Sequence, residues 1–283
     1  HHDTVLPNKA YTRDPFKPDI LDGKLYGLGS NDAGGALVSL LACFNYFYKN
    51  PNLKYNLLMV ASAEEETAGD KSLRYLIPYL PKIDFAIIGE PTKMELAIAE
   101  KGLVVFDIKI KGTPSHAAHP NKDNPLMKLP EIIKKIENIS FEKVSPILGP
   151  VKLTLTQINA GSQHNVVPSE VKLVLDVRVN ECYQNHEIDE VIQKALPCNV
   201  KARSLHLKSS SISIDHPIVK AGEKLGRKTY GSPTLSDQAS LSCPSLKLGP
   251  GDSTRSHSSD EFIYIKEIEE GISIYINLLK QII

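Results

Sequence analysis

The sequence predicts an α/β domain with a mainly parallel sheet, interrupted by a smaller inserted α+β domain. Apolar strands alternate with helices in the first third of the chain and again near its end, a pattern typical of parallel sheets covered on both faces. Between these parts the strands alternate polar and apolar residues, and the elements follow the order β-α-β-β-α-β of ferredoxin-like domains. The predicted outer domain spans residues 1–101 and 214–283, and the inserted domain spans residues 102–213.

Hydrophobic periodicity defines each element of the outer domain. Runs with a period near 3.6 predict helices, and short continuous apolar runs predict buried strands. The predicted helices lie at 35–49, 70–80, 216–226 and 265–283, and the predicted strands lie at 55–63, 84–90 and 244–249.

The inserted domain has clearer signals, because its strands alternate in polarity and its helices are amphipathic. The predicted strands lie at 103–112, 151–161, 170–179 and 200–209, and the predicted helices lie at 125–139 and 186–196.

Composition excludes several classes of protein. Lys plus Arg and Asp plus Glu both number 33, so no net field attracts nucleic acid or an anionic membrane. No apolar run approaches the ~20 residues that a membrane-spanning helix needs. The 4 cysteines have no paired spacing, which predicts reduced thiols and a cytoplasmic protein. We therefore expect neither a nucleic-acid partner nor a membrane partner.

The first residues raise a question about the start of the chain. The sequence begins with the motif-like stretch HHDTV rather than with methionine. We expect the chain to be a fragment whose outer domain lacks its N-terminal part.

Acidic and imidazole side chains follow the predicted strands of the outer domain. In open α/β sheets, ligands bind beyond the carboxyl ends of the strands, so these side chains are expected to converge. Imidazole and carboxylate together suit zinc, cobalt or manganese. The candidates are His1 and Asp3 in HHDTV, Asp32 in GSNDAGG, Glu64, Glu65 and Glu66 in SAEEET, Glu90 in IIGEPT and His257 in STRSHSS.

Each candidate also has an ordinary structural explanation. Asp32 could cap the following helix, and the glutamate run could be a solvated first helical turn. Glu90 could end a strand before proline, His257 could cap a turn, and His1 could be a disordered terminus. These explanations are independent of one another, whereas one metal centre accounts for all five positions.

The motifs and their order resemble a known enzyme family over nearly the whole chain. The sequence is similar to the dinuclear-metal deacylases and exopeptidases that include acetylornithine deacetylase, succinyl-diaminopimelate desuccinylase and glutamate carboxypeptidase. In one departure, Gly34 stands where the family often has lysine, which removes no ligand. The matching stretches are HHDTV, LYGLGSNDAGG, SAEEET, GEPT, GTPSHAAHP, NAGSQHNVVPSE, DVRV and GPGDSTRSHSSDE.

The resemblance implies a metal-peptidase-like catalytic domain and an inserted lid domain that forms a homodimer. It also implies two divalent metal ions, zinc or cobalt, bridged by Asp32. His1 and Glu90 complete one implied site, and Glu66 and His257 complete the other.

Catalytic and substrate-binding roles follow from the same resemblance. Glu65 is the implied general base, Asp3 orients the ring of His1, and His116 of the lid donates to the developing oxyanion, with His119 as the alternative. The implied substrate-binding residues are Asn165, Arg178, Gly249 and Gly251.

The implied activity is metal-dependent hydrolysis of an amide, with release of an N-acyl group from an amino acid. The variants GLGSNDAG, EEET and GPGDSTRSHSSDEF most resemble acetylornithine deacetylases of arginine biosynthesis. A desuccinylase, a dipeptidase or a carboxypeptidase of the same family is the alternative. A non-catalytic carboxylate-binding protein is a further alternative, although such a protein has no need for both Glu65 and Glu66.

Overall fold

The computed structural model describes all 283 residues, and the chain divides into two compact units. The first unit comprises His1–Ala99, Ser210–Ser232 and Ser236–Ile283. The second unit comprises Glu100–Ser209 and Pro233–Leu235.

Helices and strands alternate along much of the chain. The helices are α1 (Gly35–Phe47), α2 (Leu73–Leu76), α3 (Pro125–Glu137), α4 (Asn185–Ala195), α5 (Pro217–Lys224) and α6 (Ile265–Leu279). The strands are β1 (Asp19–Leu21), β2 (Lys24–Tyr26), β3 (Ala86–Ile88), β4 (Leu96–Glu100), β5 (Gly102–Lys111), β6 (Ser115–His116), β7 (Lys152–Ala160), β8 (Val166–Val167), β9 (Glu170–Val179), β10 (Asn199–Ala202), β11 (Ser210–Ser211), β12 (Thr229–Ser232), β13 (Ser245–Lys247) and β14 (Phe262–Tyr264). No helix combines the length and the apolar character needed to cross a membrane.

The first unit contains a five-stranded sheet in the order β11-β4-β13-β3, with β12 beside β4. β13 runs parallel to β3 and antiparallel to β4, so the sheet is mixed. Helices α1, α5 and α6 contribute buried side chains such as Cys43, Ile218 and Tyr275 to the core beside it. The predicted α/β class is confirmed, and the short strands β1, β2 and β14 form a separate antiparallel sheet.

One predicted strand of this unit is wrong. Residues 55–63 form no strand, although the run is apolar. Its side chains from Leu57 to Val60 line a cavity of about 510 Å³ together with residues of α1 and β3. A strand needs a neighbouring backbone that pairs along its length, and here the N–H of His2 donates to the main-chain oxygen of Ser62 without forming a ladder, while Leu58 is 50% exposed. The helix predicted at 70–80 is likewise shorter, because it divides into α2 and a 3₁₀ turn, Ile77–Tyr79.

The second unit is an antiparallel sheet in the order β10-β5-β9-β7 with α3 and α4 packed on it. Alternate residues of β5, including Phe106 and Ile108, are fully buried, while the residues between them are more exposed. Asn124 begins α3 by accepting the backbone N–H of Leu126 at 3.0 Å. This strand order and connectivity confirm the predicted ferredoxin-like fold.

The cysteines form no disulfide. Cys43, Cys182, Cys198 and Cys243 are all free thiols, and Cys43 is buried. This agrees with the reduced state that their spacing predicts.

Candidate metal centre

The candidate ligands of the first unit lie on loops that meet at one place. Asp32 precedes α1, Glu90 follows β3, and His257 follows a 3₁₀ turn, Ser253–Arg255. Gly29 adopts a left-handed φ of 78° in the turn before Asp32, and a Cβ there would collide with the side chain of Thr4. The turn therefore requires glycine.

His1 lies at the centre of this cluster, and its side chain is only 1% exposed. The Nδ1 atom lies 3.0 Å from the main-chain oxygen of Asp3, which accepts a hydrogen bond from the protonated Nδ1. This contact leaves Nε2 facing the carboxylates, 3.3 Å from Asp32 and 3.8 Å from Glu90. A histidine held in this way presents a free ring nitrogen to a cation.

Asp32 lies between two histidines. Its Oδ1 atom is 3.3 Å from Nε2 of His1, and its Oδ2 atom is 3.6 Å from Nε2 of His257. The two oxygens of one carboxylate thus face different imidazoles, which is the arrangement that a bridging ligand needs.

Glu66 completes the second side of the cluster. Its two carboxylate oxygens lie 3.1 Å and 3.2 Å from Nε2 of His257. Ligand atoms of His1, Asp32 and Glu66 lie within 4.8 Å of one another. The five side chains predicted as ligands are therefore brought together, and their role as ligands stays a prediction.

Asp3 holds the loop that carries Glu65 and Glu66. Its Oδ1 atom accepts the backbone N–H of Glu65 and its Oδ2 atom accepts that of Glu66, each at 3.2 Å. Because the main-chain oxygen of Asp3 also fixes the ring of His1, one residue orients both sides of the cluster.

Burial strongly perturbs the protonation of this cluster. Burial alone would lower the pKa of His1, but the hydrogen bond to Asp32 and the charges of Glu90 and Glu65 raise the pKa to about 10. Burial raises the pKa of Glu65 to about 8, against the opposing charge of His1, and the nearby Asp237 carboxylate adds to the rise. Burial also raises the pKa of Glu90 well above its ordinary value.

The residues fit divalent cations. Four carboxylates, those of Asp32, Glu65, Glu66 and Glu90, crowd around two imidazoles, and each carboxylate is at most 14% exposed. Such a concentration of buried anions is costly unless cations neutralise it. Oxygen and imidazole nitrogen donors are those that zinc, cobalt and manganese accept.

The predicted lid residues His116 and Asn165 lie in the second unit, at a small two-stranded antiparallel sheet. His116 in β6 pairs with Val166 in β8, and the backbone N–H of Ala117 donates to the main-chain oxygen of Asn165 at 2.9 Å. His116 and Asn165 are thus neighbours, and His116 is exposed. The ring of His119 lies 5.8 Å from that of His116, so both remain candidates for the predicted donor.

Arg178 already has a partner. Its Nε and Nη2 atoms donate to the two oxygens of Asp176 at 2.9 Å and 3.1 Å, on the same face of β9. Its predicted role, bidentate binding of the substrate carboxylate, stays a prediction.

Gly249 and Gly251 pack closely against the loops of the cluster. A Cβ on Gly249 would meet the backbone of Glu90, and one on Gly251 would meet the side chain of Asn31. Gly251 also has a left-handed φ of 94°. Close approach explains both glycines, and their predicted contact with substrate stays a prediction.

Four residues beside the site were missed in the sequence. Glu261 accepts the backbone N–H groups of Gly29, Asn31 and Asp32, and Ser62 donates to the buried carboxylate of Asp237. Asn31 is next to Asp32 in the motif GSNDAGG, and Glu261 follows His257 shortly after in the motif GPGDSTRSHSSDE. Their closeness in sequence to a candidate ligand was therefore the only signal that they belong to the site. Asp237 had no such signal, because it follows β12 in a stretch without any other candidate.

Together the fold and the clustered donors define a metallohydrolase scaffold. The chain belongs to peptidase family M20/M25/M40, whose family model matches residues 1–281. The predicted family is therefore confirmed.

Curated relatives of this chain include two named succinyl-diaminopimelate desuccinylase. The protein from Rickettsia felis is 27% identical over 297 residues, which cover 95% of this chain and 78% of the relative. The protein from Helicobacter pylori strain Shi470 is 26% identical over 306 residues, which cover 100% of this chain and 79% of the relative.

Solved structures share the fold at lower identity. An M20 family metallo-carboxypeptidase from Sulfolobus solfataricus has a TM-score of 0.77 at 16% identity, over 99% of this chain and 83% of that one. A tripeptidase from Staphylococcus aureus has a TM-score of 0.75 at 20% identity, over 93% of this chain and 75% of that one. A dinuclear metal binding peptidase of the M20 family from Bacillus subtilis has a TM-score of 0.63 at 18% identity, over 86% of this chain and 70% of that one.

Proposed function

We propose that the protein is a metal-dependent amidohydrolase that releases the acyl group of an N-acyl amino acid, with an N-succinyl amino acid as the preferred substrate class. The position of Asp32 between His1 and His257 is the observation that supports this proposal most strongly. Glu65 stands beside the same cluster on a loop that is held in place by Asp3.

The proposed centre holds two divalent cations, zinc or cobalt. His1 and Glu90 hold one, Glu66 and His257 hold the other, and Asp32 is shared. When bound, such cations polarise the scissile carbonyl and acidify the attacking water.

The residues of the chain supply the proton transfers. Glu65 accepts a proton from the attacking water and delivers it to the leaving amine nitrogen. Its carboxylate Oε2 lies 3.9 Å from Nε2 of His1, so it faces the same space as the ligands.

The roles proposed for residues of the second unit follow from the family resemblance. His116 donates to the developing oxyanion, and the neighbouring Asn165 supports the same end of the substrate. Arg178 binds the carboxylate of the substrate through its guanidinium.

The curated relatives support the choice of acyl group. Those described above are named succinyl-diaminopimelate desuccinylase, which favours succinyl over acetyl. Acetylornithine specificity, predicted from the motif variants, gains no support from them and becomes the comparison substrate.

The proposed assembly is a homodimer formed through the second unit, which corresponds to the predicted lid domain at 102–213. β7 is an edge strand of its sheet and offers unpaired backbone to a second copy. A groove of about 350 Å³ lies between α3 and β7, and a two-fold contact there would bury it. The groove is lined by Ile133, Ile136, Glu137, Ile139, Leu153 and Leu155.

Paired glutamate substitutions test the catalytic proposal. Glu65→Gln is expected to bind two cations and to lose at least a thousandfold in turnover, whereas Glu66→Gln is expected to bind the second cation weakly. Glu64→Gln is the matched control, because Glu64 accepts the backbone N–H of Lys71 at 2.8 Å and lies outside the cluster. Near-native hydrolysis by Glu65→Gln would contradict the proposal.

A substrate panel tests the acyl group. Turnover of succinyl-diaminopimelate, acetylornithine and a set of dipeptides is measured side by side at equal Zn²⁺ or Co²⁺ concentration. The proposal expects the highest kcat/KM for the succinyl substrate, and a higher value for acetylornithine would overturn this part of it.

A further inference from the structure

The loops that carry Asp32 and His257 are tied to each other by two buried side chains. Glu261 belongs to the His257 loop and reaches the Asp32 loop, while Asn31 belongs to the Asp32 loop and reaches back. Asn31 is 0% exposed and Glu261 is 1% exposed.

Glu261 binds three backbone groups around Asp32. Its Oε1 atom accepts the N–H groups of Asn31 and Asp32, both at 2.9 Å, and its Oε2 atom accepts that of Gly29 at 3.1 Å. The turn before α1 leaves these donors without partners in its own backbone, and a carboxylate offers enough lone pairs for all three.

Asn31 makes the reciprocal connection. Its Nδ2 atom donates to the main-chain oxygen of Asp252 at 3.0 Å, and its Oδ1 atom accepts the N–H of Asp252 at 3.0 Å. The Nδ2 atom also lies 3.3 Å from Oγ of Ser256, the residue before His257. The amide of Asn31 thus joins the Asp32 loop to residues that precede His257. Glu261, which follows His257, makes the second connection between the two loops.

A carboxylate is an expensive choice at the position of Glu261. It adds a buried negative charge beside Asp32, in a region that already holds four carboxylates. The carboxylate accepts three hydrogen bonds at once, and bound cations would offset the electrostatic cost of its charge.

We propose that Glu261 and Asn31 are positioning residues that fix the distance between Asp32 and His257 and thereby set the affinity of the cation site that these two ligands share with Glu66. The inference rests on the proposed two-cation function. Asp3 orients His1 of the other cation site, so that site depends on Glu261 and Asn31 only through the shared ligand Asp32.

Asp260 provides a matched control in the same loop. Its carboxylate also accepts two backbone N–H groups, those of Thr12 and Arg13 at 2.9 Å, but these belong to a segment without any predicted ligand. If loss of order in the loop were the cause, substitution of Asp260 and substitution of Glu261 would weaken cation binding alike. If the position of Asp32 is the cause, only substitution of Glu261 weakens it.

Calorimetric titration of the metal-depleted full chain with Zn²⁺ alone, and separately with Co²⁺ alone, tests the inference. The wild type and Asp260→Ala are expected to bind two ions, and Glu261→Ala is expected to bind one ion with a small loss of affinity and the other 10–100-fold more weakly. Two ions bound by Glu261→Ala at wild-type affinity, or an equal loss in Asp260→Ala, would overturn the inference and leave the proposed function standing. A wild type that fails to bind two ions would instead contradict the proposed function.

Milder variants keep the test informative if Glu261→Ala does not fold. Glu261→Gln replaces one acceptor oxygen by a donor, and Asn31→Asp replaces the donor to Asp252 by an acceptor. Each is expected to weaken the same ion by a smaller factor, with a melting temperature of the metal-free protein close to that of the wild type. In Glu261→Gln/Asn31→Asp the losses should be less than additive, because both residues control one distance. Strictly additive losses, or loss of both ions together, would contradict the shared role.

Discussion

The carboxylate of Asp3 accepts the backbone N–H of Glu65 across a distance of 3.2 Å. The first residues of the chain are thereby connected to the loop that carries the proposed general base. The same carboxylate accepts the N–H of Glu66, so the loop is held at two adjacent positions. Asp3 therefore does more than orient the ring of His1, which is the only role that the sequence predicts for it.

Removal of the Asp3 carboxylate should damage catalysis and leave the fold intact. Asp3→Ala is expected to lower kcat/KM by 10–100-fold, because both N–H contacts that hold Glu65 and Glu66 disappear. Asp3→Asn keeps one acceptor oxygen and should lie between Asp3→Ala and the wild type.

Asp14→Ala is the control for this prediction. Asp14 also accepts a backbone N–H, that of Phe16 at 3.0 Å, but in an exposed turn. Steady-state kinetics with a saturating metal supply compare the variants. Equal activity of Asp3→Ala and Asp14→Ala would contradict the role assigned to Asp3.

The metal-free protein should become less stable as the pH rises. The pKa of Glu65 is raised from 4.5 to about 8 and that of His1 from 6.5 to about 10, so both groups favour the protonated folded state. The contribution of Glu65 is complete below pH 4.5 and is lost as the pH rises to about 8, and that of His1 is lost between pH 6.5 and about 10.

Denaturant unfolding at pH 6 and pH 8 measures this effect. The free energy of unfolding of the metal-free protein should fall between these values, and the fall should be smaller in Glu65→Gln, which cannot titrate. Zn²⁺ should raise the free energy of unfolding more at pH 8 than at pH 6, because it competes with protons for the same groups. A free Zn²⁺ concentration of a hundred times the Kd stabilises the folded protein by about 2.7 kcal/mol. A metal-free stability that rises with pH would contradict the protonation of the cluster.

The sequence predicted the elements best where a single pattern sufficed. The strands β5, β7 and β9 were found within about one residue of their bounds, and in β5 Val104 and Phe106 are buried whereas Lys109 is exposed. The strand predicted at 200–209 is shorter, because β10 ends at Ala202. The run 55–63 is as apolar as a buried strand, but pairing depends on a neighbour that no local pattern reveals. Strand β4 was missed, although its run LAIAE is mostly apolar and all of its residues are buried.

The site was predictable to the extent that its residues carry distinctive chemistry. His1, Asp32 and His257 could be singled out as candidate ligands because one metal centre accounts for them together and the family resemblance implies the same set. Glu261 and Asn31 act on backbone groups of another loop, and only the three-dimensional structure brings those groups together. Arg178 illustrates the converse, because its pairing with Asp176 is invisible in the motif DVRV.

Substitution of Arg178 should weaken substrate binding without a change in the chemical step. Arg178→Lys loses the two-pronged contact with a carboxylate, so KM should rise about tenfold or more while kcat stays nearly constant. Arg203→Lys is the matched control, because Arg203 makes the same kind of paired contact with Asp107, at 3.0 Å and 2.8 Å, in the same sheet. Equal KM values for the two variants would show that Arg178 acts only in its pair with Asp176.

The last prediction concerns His116 and the proposed dimer. His116 is exposed on the two-stranded sheet of β6 and β8, and its Nδ1 atom accepts the N–H of Ala118 at 3.1 Å, which leaves Nε2 free to donate. We expect His116 to act on the metal centre of the partner subunit. In a purified heterodimer of His116→Ala and Glu65→Gln subunits, one site then has an intact base and an intact His116, so activity should return to about half of the native value. Homodimers of either variant should stay inactive and serve as controls. If His116 serves its own subunit, both sites of the heterodimer remain defective, and no return of activity would contradict action on the partner.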